Sequence, residues 1–225
     1  MNLINLTKKF LAKNNLKIVR TYPHWPELWS KDVEFEEIMR AIESHTLLPY
    51  DRCYFIYQIA RNASRLEGDF AEFGVYKGGS AYLISMAAKN KTVHLFDTFT
   101  GMPEVNKPID KHSKGDFADT NLENVQKFLN NKNFVFYKGF FPDTTASLES
   151  EIKFSLVHID VDIYKSLEDA LEFFYQRVVP GGVILFDDYD SLKCPGIKKA
   201  IDEFLEKKPE RVIRTTFHQA MLIKS

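Results

Sequence analysis

Four aspartates follow two apolar stretches of the sequence, and carboxylates at this spacing can bind a cation. Asp160 and Asp162 lie in "LVHIDVDIYKS", and Asp187 and Asp188 end "GGVILFDD". Side chains alternate between the two faces of a strand, so residues two apart project in the same direction. Neighbouring carboxylates repel one another and raise each other's pKa, which makes such a cluster unfavourable unless a positive charge is present.

Two interpretations of these aspartates are open at this point. If the two stretches are neighbouring strands, the four carboxylates meet at one sheet edge and form a cation site. All-oxygen ligands suit Mg²⁺ or Ca²⁺, whereas zinc prefers nitrogen and sulfur. The alternative is that the aspartates only begin turns at strand ends, where Asp is common. Two pairs at one predicted edge favour the cation site.

A glycine-rich turn lies earlier in the chain, in "EFGVYKGGS", between a predicted strand and a predicted helix. Glycines allow the backbone to turn tightly and to approach a ligand closely. The spacing differs from the G-x-G-x-x-G of dinucleotide enzymes and from a GK[ST] phosphate loop. Asp97 ends the next predicted strand, where an acid can accept the hydroxyl groups of a ribose. We predict a nucleoside-containing cofactor, and both NAD and S-adenosylmethionine fit this pattern.

From residue 68 onward, predicted strands alternate with predicted helices, and these elements hold the residues described above. Short apolar runs such as "TVHLFD" and "GVILFD" are separated by amphipathic stretches of helical spacing. This alternation predicts an α/β fold with a mostly parallel sheet, in which ligands bind at the carboxyl ends of the strands. The last two runs, "RVIRTTF" and "QAMLIKS", lack a helix-length connection and predict an antiparallel hairpin. Gly74, Asp97, Asp160 and Asp187 are thereby expected at one edge.

The first 67 residues have a different pattern, with apolar residues at helical spacing and no strand alternation. We predict an N-terminal helical cap or lid over residues 1–67 and a core over residues 68–225. The aromatic segment 21–29 either anchors the N-terminal region to the core or covers a sugar ring. The polar loop 99–120 is long enough to be an active-site lid.

Composition excludes several classes of function. The chain has 225 residues and a formal net charge of −1, so no bulk charge favours nucleic acid or an anionic membrane. No apolar run has the length of a membrane span, and lysines interrupt the first 19 residues, so we expect no signal peptide.

Cys53 and Cys194 have no metal spacing and are interpreted as ordinary helix and loop residues. His158 is interpreted as a packed core residue. The expected location is cytoplasmic.

The motifs together resemble those of the macrocin O-methyltransferase (TylF) family. "DFAEFGVYKGGSA", "LFDTFTGMP", "YKGFFPDT", "HIDVDIYKS" and "PGGVILFDDYD" occur in the family's order, and "HQAMLIK" is similar to its closing motif. The resemblance covers residues 68–225. It implies a class I methyltransferase (Rossmann-like) sheet, and S-adenosylmethionine-dependent, metal-dependent methylation of sugar hydroxyls.

The resemblance also implies roles for individual residues. The methionine part of the cofactor would be lined by Glu72, Gly74, Gly78, Gly79 and Ser80. The ribose would be held by Asp97, with Thr98 and Phe99 beside it. Mg²⁺ would be bound by Asp160, Asp187 and Asp188. Asp162 would be the general base.

The expected reaction is methyl transfer from S-adenosylmethionine to a hydroxyl of a small-molecule acceptor, a sugar or a glycoside. An alternative is a catechol-type O-methyltransferase, whose phenolic acceptor needs less activation. Another is a non-catalytic nucleoside-binding module, which the intact acids disfavour. A nicotinamide dehydrogenase is disfavoured by the glycine spacing. The acceptor itself and any homo-oligomer are left open by the sequence.

Overall fold

The computed structural model describes residues 29, 31–130, 133–215 and 218–225. The α-helices are α1 (Val33–Ile42), α2 (Tyr50–Ala63), α3 (Gly79–Ala87), α4 (Leu122–Leu129), α5 (Tyr164–Phe174) and α6 (Pro195–Leu205), and Asp143–Ser147 is a short 3₁₀-helix. The strands are β1 (Asp69–Phe73), β2 (Val93–Asp97), β3 (Phe134–Lys138), β4 (Phe154–Ile159), β5 (Val178–Phe186), β6 (Ile213–Arg214) and β7 (Ala220–Ile223).

The strands form one seven-stranded sheet in the order β3-β2-β1-β4-β5-β7-β6. Pairs among β1 to β5 are parallel, whereas β7 runs antiparallel to both β5 and β6. Strands β1, β2 and β4 are almost fully buried and mostly apolar, as is typical of a parallel sheet that is covered by helices on both sides. The predicted α/β fold and its terminal antiparallel hairpin are confirmed.

The register of the central strands decides which residues share the sheet edge. Phe73 pairs with Phe96 and Ile159, and Ile159 pairs with Phe186. The residues that directly follow these positions are therefore level with one another at the carboxyl ends of four adjacent strands; they are Gly74, Asp97, Asp160 and Asp187. The predicted grouping at one edge is confirmed.

Helices α1 and α2 lie in the region predicted as a cap. In α1 the residues Phe35, Ile38, Met39 and Ile42 are buried, at the i, i+3, i+4, i+7 spacing of one helix face. Beyond Val33 these helices belong to the compact unit Glu34–Ser225, together with the sheet. The proposed boundary between residues 67 and 68 stays a prediction. Of the aromatic segment 21–29, all but Trp29 lies outside the described residues.

Within residues 29, 31–130, 133–215 and 218–225, no helix has the length and apolar character needed to cross a membrane.

Candidate active site

The turn between β1 and α3 runs so close to the end of β4 that only glycine fits at position 74. Gly74 has φ +91°, and a Cβ there would lie 1.8 Å from the carbonyl oxygen of Asp160. A Cβ at Gly79 would lie 2.6 Å from the carbonyl oxygen of His45. Glycine alone lacks a Cβ and adopts positive φ without strain. The glycine-rich turn therefore brings bare backbone against Asp160 and against the α1–α2 connection.

Asp97 joins this turn to the segment that follows β2. Its Oδ2 accepts hydrogen bonds from the backbone N–H of Val75 at 2.7 Å and of Tyr76 at 3.0 Å. Its Oδ1 accepts one from the N–H of Phe99 at 2.7 Å. An ionised carboxylate has about four acceptor positions, so these bonds leave little free capacity. Asp97 thus holds the site's backbone, and its ribose contact stays a prediction.

Replacement of this carboxylate is expected to destabilise the fold as well as the cofactor site. Asp97→Ala leaves three backbone N–H groups without their acceptor and should lower the free energy of unfolding by about 1–3 kcal/mol. Urea unfolding measures the loss. Asp119, whose carboxylate is 65% exposed and paired with Lys77, provides the control. Asp119→Ala should change stability by less than about 0.5 kcal/mol; equal losses in both variants would contradict the assignment.

A cavity of about 640 Å³ opens beside the glycine-rich turn. Of the residues assigned by the sequence, its wall contains Gly74, Ser80, Asp97, Thr98, Asp160, Asp162 and Asp188. Further wall residues come from the α1–α2 connection, His45–Leu48, and from loop 99–120, including Met102 and Phe117. The other assigned residues are not part of this wall; they are Glu72, Gly78, Gly79, Phe99 and Asp187.

Three of the four aspartates form a close group on this wall. Carboxylate oxygens of Asp160, Asp162 and Asp188 all lie within 4.8 Å of one another. Because β4 ends at Ile159, strand alternation does not bring Asp162 here. The local backbone positions these side chains instead: Asp162 and Asp188 both adopt positive φ, of +61° and +60°. Such left-handed backbone is unfavourable for residues other than glycine and is found at functional sites.

The electrostatics of this group favour a bound cation. Desolvation raises the pKa of Asp160 well above its usual value, and the charges of Asp187, Asp162 and Asp188 raise it further. Desolvation also raises the pKa of Asp162, and the charge of Asp188 adds to the effect. Like charges in a poorly solvated place resist ionisation. A divalent cation at this position would relieve that repulsion.

The carboxylate of Asp187 is not part of this group of three and has two cationic partners. Its buried carboxylate accepts a hydrogen bond from His158 Nε2 at 2.7 Å, and its Oδ1 lies 3.3 Å from Arg52 Nη1. The same guanidinium reaches Asp188 Oδ1 with Nη2 at 3.1 Å. Arg52 lies on α2, 135 residues from Asp187, and no feature of the sequence marked it. The role of Asp187 as a metal ligand stays a prediction.

His158 is buried, as predicted, but it is a polar bridge and not only a packing residue. Nδ1 lies 2.9 Å from Glu72 Oε1, and Nε2 contacts Asp187. Burial alone would lower the pKa of His158, but hydrogen bonds and charges of Asp187 and Glu72 outweigh burial and raise it to about 10. Both ring nitrogens then donate. The imidazolium thus lies between two buried carboxylates and offsets one of their two negative charges.

Loss of this bridge is expected to be strongly destabilising. His158→Gln removes the positive charge between Glu72 and Asp187, and breaking a buried ion pair in this way costs about 3–5 kcal/mol. His94→Gln is the matched control, because His94 is also buried but its carboxylate partner Asp69 is partly exposed. Chemical unfolding of both variants measures the difference. Comparable losses would show that His158 acts only through its packing.

Comparisons with known proteins agree with this geometry. The sequence profile of the family described as macrocin O-methyltransferase (TylF) matches residues 50–216. Demethyldecarbamoylnovobiocin O-methyltransferase from Streptomyces niveus is 26% identical over 207 residues, 83% of this chain and 77% of that protein. Mycinamicin III 3''-O-methyltransferase from Micromonospora griseorubida is 27% identical over 186 residues, 73% of this chain and 71% of that protein.

A solved structure shares the fold as well. The O-methyltransferase NovP superposes with a TM-score of 0.72 at 25% sequence identity, over 80% of this chain and 82% of that chain. The predicted family and fold class are confirmed, because the family profile spans most of the chain and the sheet has the same architecture. The chain belongs to the macrocin O-methyltransferase (TylF) family and is an O-methyltransferase of the class I fold.

Proposed function

We propose that this chain transfers a methyl group from S-adenosylmethionine to a hydroxyl of a sugar or glycosylated small molecule, with Mg²⁺ as the metal. One observation carries the proposal: the glycine-rich turn and the group of three carboxylates face the same cavity. A nucleoside cofactor and a cation bound there would be neighbours. Relatives named for novobiocin and mycinamicin methylation support an acceptor of this class.

The cofactor fits the backbone of the site. Gly74 and Ser80 both line the cavity, and the absence of a Cβ at Gly74 lets the turn lie directly against the carbonyl oxygen of Asp160. Asp97 and Thr98 lie on the same wall, with Phe99 buried behind them. We assign the methionine part of the cofactor to Glu72, Gly74, Gly78, Gly79 and Ser80, and the ribose to Asp97.

The metal assignment follows from the donor set. Asp160, Asp187 and Asp188 are proposed as ligands, since all-oxygen sites suit Mg²⁺. Arg52 forms ion pairs with both Asp187 and Asp188, so a divalent cation bound by these residues would compete with its guanidinium. Desolvation and the charges of the neighbouring aspartates raise the pKa of Asp160, and together with the close carboxylate group this supports a cation here.

The cation, the cofactor and Asp162 are proposed to have different roles in the reaction. When bound, the cation would acidify and orient an acceptor hydroxyl, and the cofactor would supply the methyl group on its sulfonium. Asp162 lies on the cavity wall within 4.8 Å of Asp160 and Asp188. A general base must be within hydrogen-bond reach of the proton that it removes. Asp162 is therefore proposed as the base, with the acceptor between it and the metal ligands.

Residues 1–67 are proposed to cover the site, and the loop 99–120 to act as its lid. Arg52 of α2 reaches the carboxylates, and His45–Leu48 line the cavity. The loop is closed on itself by hydrogen bonds between Met102 and Asp116 at 2.8 Å and between Gly115 and Met102 at 2.9 Å. Phe117 offers a flat apolar face to the cavity, which suits a sugar ring.

Binding and turnover test the proposal separately. Calorimetry should show binding of S-adenosylmethionine and its demethylated product, and no comparable binding of NAD. Transfer of labelled methyl should then be assayed with sugar nucleotides, glycosides and catechols as acceptors. Tighter binding of NAD would overturn the cofactor assignment. Faster methylation of catechols than of every sugar would establish the catechol-type alternative.

A further inference from the structure

Asp162 also belongs to a second group of possible metal ligands, which it forms with His112 and Cys194. Sγ of Cys194 lies 3.1 Å from Asp162 Oδ1 and 3.6 Å from His112 Nε2. His112 Nε2 lies 4.0 Å from the same Oδ1. The three residues come from loop 99–120, from the segment after β4 and from the start of α6. Cys194, interpreted from the sequence as an ordinary loop residue, is thus part of a mixed sulfur, nitrogen and oxygen cluster.

The spacing of these atoms agrees with tetrahedral coordination. Zinc bonds of about 2.3 Å to sulfur and about 2.0–2.2 Å to nitrogen and oxygen place neighbouring ligands about 3.3–3.6 Å apart. The observed separation of 3.6 Å lies within this range, and those of 3.1 and 4.0 Å lie a few tenths of an ångström outside it. Small side-chain movements would bring all three atoms to one ion.

A second observation is the partner of the histidine. His112 Nδ1 lies 3.0 Å from Asp116 Oδ2, and that carboxylate oxygen also accepts a hydrogen bond from the N–H of Ser113 at 2.9 Å. Metal-binding histidines usually donate their other nitrogen to a carboxylate, which fixes the tautomer and the ring orientation. Asp116 therefore orients Nε2 of His112 towards Asp162 and Cys194.

The donor set differs in chemistry from the all-oxygen group next to it. Thiol, imidazole and carboxylate together match the ligands of zinc and not those of Mg²⁺. Cys194 is buried, and its thiol donates to Asp162 while it stays protonated. Coordination would break the S–H bond, form a metal–sulfur bond and release the proton to solvent.

We propose that His112, Asp162 and Cys194 form a second metal site that binds Zn²⁺. Its occupation inhibits methyl transfer, because Asp162 cannot bind zinc and accept a proton from the acceptor at once. The inhibition rests on the proposed role of Asp162 as the base, whereas zinc binding does not.

Cobalt substitution tests binding without any assay of activity. Addition of Co²⁺ to the full chain should produce the near-ultraviolet charge-transfer band of a cobalt–thiolate bond, which Zn²⁺ removes and Mg²⁺ does not. Cys194→Ser should abolish the band, and His112→Gln should weaken Zn²⁺ binding by at least about 10–100-fold, the effect expected even for an outer partner. Cys53→Ser, at the other buried cysteine, is the matched control and should keep the band.

Activity provides an independent measurement. With saturating Mg²⁺, Zn²⁺ should inhibit the wild type at concentrations that leave Cys194→Ser largely unaffected, each relative to its own zinc-free rate. Absence of the charge-transfer band in the wild type, or its persistence in Cys194→Ser, would overturn the site. Zinc binding that leaves methyl transfer unchanged would overturn the inhibition. A protein without methyltransferase activity would still report on the site through cobalt.

Discussion

Removal of divalent cations with a chelator is expected to abolish methyl transfer, and Mg²⁺ is expected to restore it. Asp160, Asp162 and Asp188 bring carboxylate oxygens within 4.8 Å of one another, and the pKa of Asp160 is raised by desolvation and by its neighbours' charges. A cation is the simplest source of the missing positive charge, and it would also lower the pKa of an acceptor hydroxyl. Turnover with a sugar acceptor, measured against added Mg²⁺, gives the dependence.

Two further measurements make this result specific. Mg²⁺ should raise the unfolding midpoint of the wild type, because a ligand at about 100 times its Kd stabilises the folded state by about 2.7 kcal/mol. Asp188→Asn should lose this stabilisation, whereas S-adenosylmethionine binding should persist. Full activity in chelator, with elemental analysis confirming that the protein is free of metal, would refute the assignment.

Asp162→Asn is expected to lower the catalytic rate by about 10²–10⁴-fold, the usual effect of a lost general base. Its Mg²⁺ requirement should remain nearly unchanged. Asp160→Asn should instead raise the Mg²⁺ concentration needed for activity. The two variants should differ because Asp162 is proposed to accept a proton, which the amide of Asn cannot do, whereas Asp160 is proposed as a metal ligand. Asn keeps the shape of the side chain in both. Single-turnover rates at saturating Mg²⁺, combined with Mg²⁺ titrations of both variants, separate the two roles.

The same titration decides the position of Asp187. If Asp187 binds the metal, Asp187→Asn should raise the Mg²⁺ requirement as Asp160→Asn does. If the carboxylate serves only His158 and Arg52, the variant should lose stability while its Mg²⁺ requirement stays unchanged. Rescue of Asp162→Asn by excess Mg²⁺ would identify Asp162 as a ligand, in agreement with its closeness to Asp160 and Asp188, and would refute its role as the base.

Much of the fold could be predicted because the signals are local. Alternating apolar runs and amphipathic stretches specify strands and helices over a few residues each, and crossover rules limit how they assemble. The parallel register then forces Gly74, Asp97, Asp160 and Asp187 to one edge. The order of the strands and the antiparallel pairing of β7 with β5 follow from contacts across the whole chain and were visible only in the structure.

Side-chain directions at that edge could not be predicted, because the strands end there. Asp162 and Asp188 lie beyond β4 and β5 with positive φ, and this backbone conformation decides where their carboxylates point. Strand alternation correctly predicted that Asp162 lies near Asp160. The strand ends at Ile159, however, so alternation is not the physical reason. Asp187 turns towards His158 and Arg52, whose positive charges lie 2.7 Å and 3.3 Å from its carboxylate oxygens.

The sequence alone predicts the family, the sheet with its terminal hairpin, and the acids at the strand ends, since motifs and periodicity act over short distances along the chain. Which charges meet depends on the folded structure. Arg52 contacts Asp187 across 135 residues, and Cys194 contacts His112 across 82. Electrostatic and hydrogen-bond energies depend on distances in space, which separation along the chain does not encode.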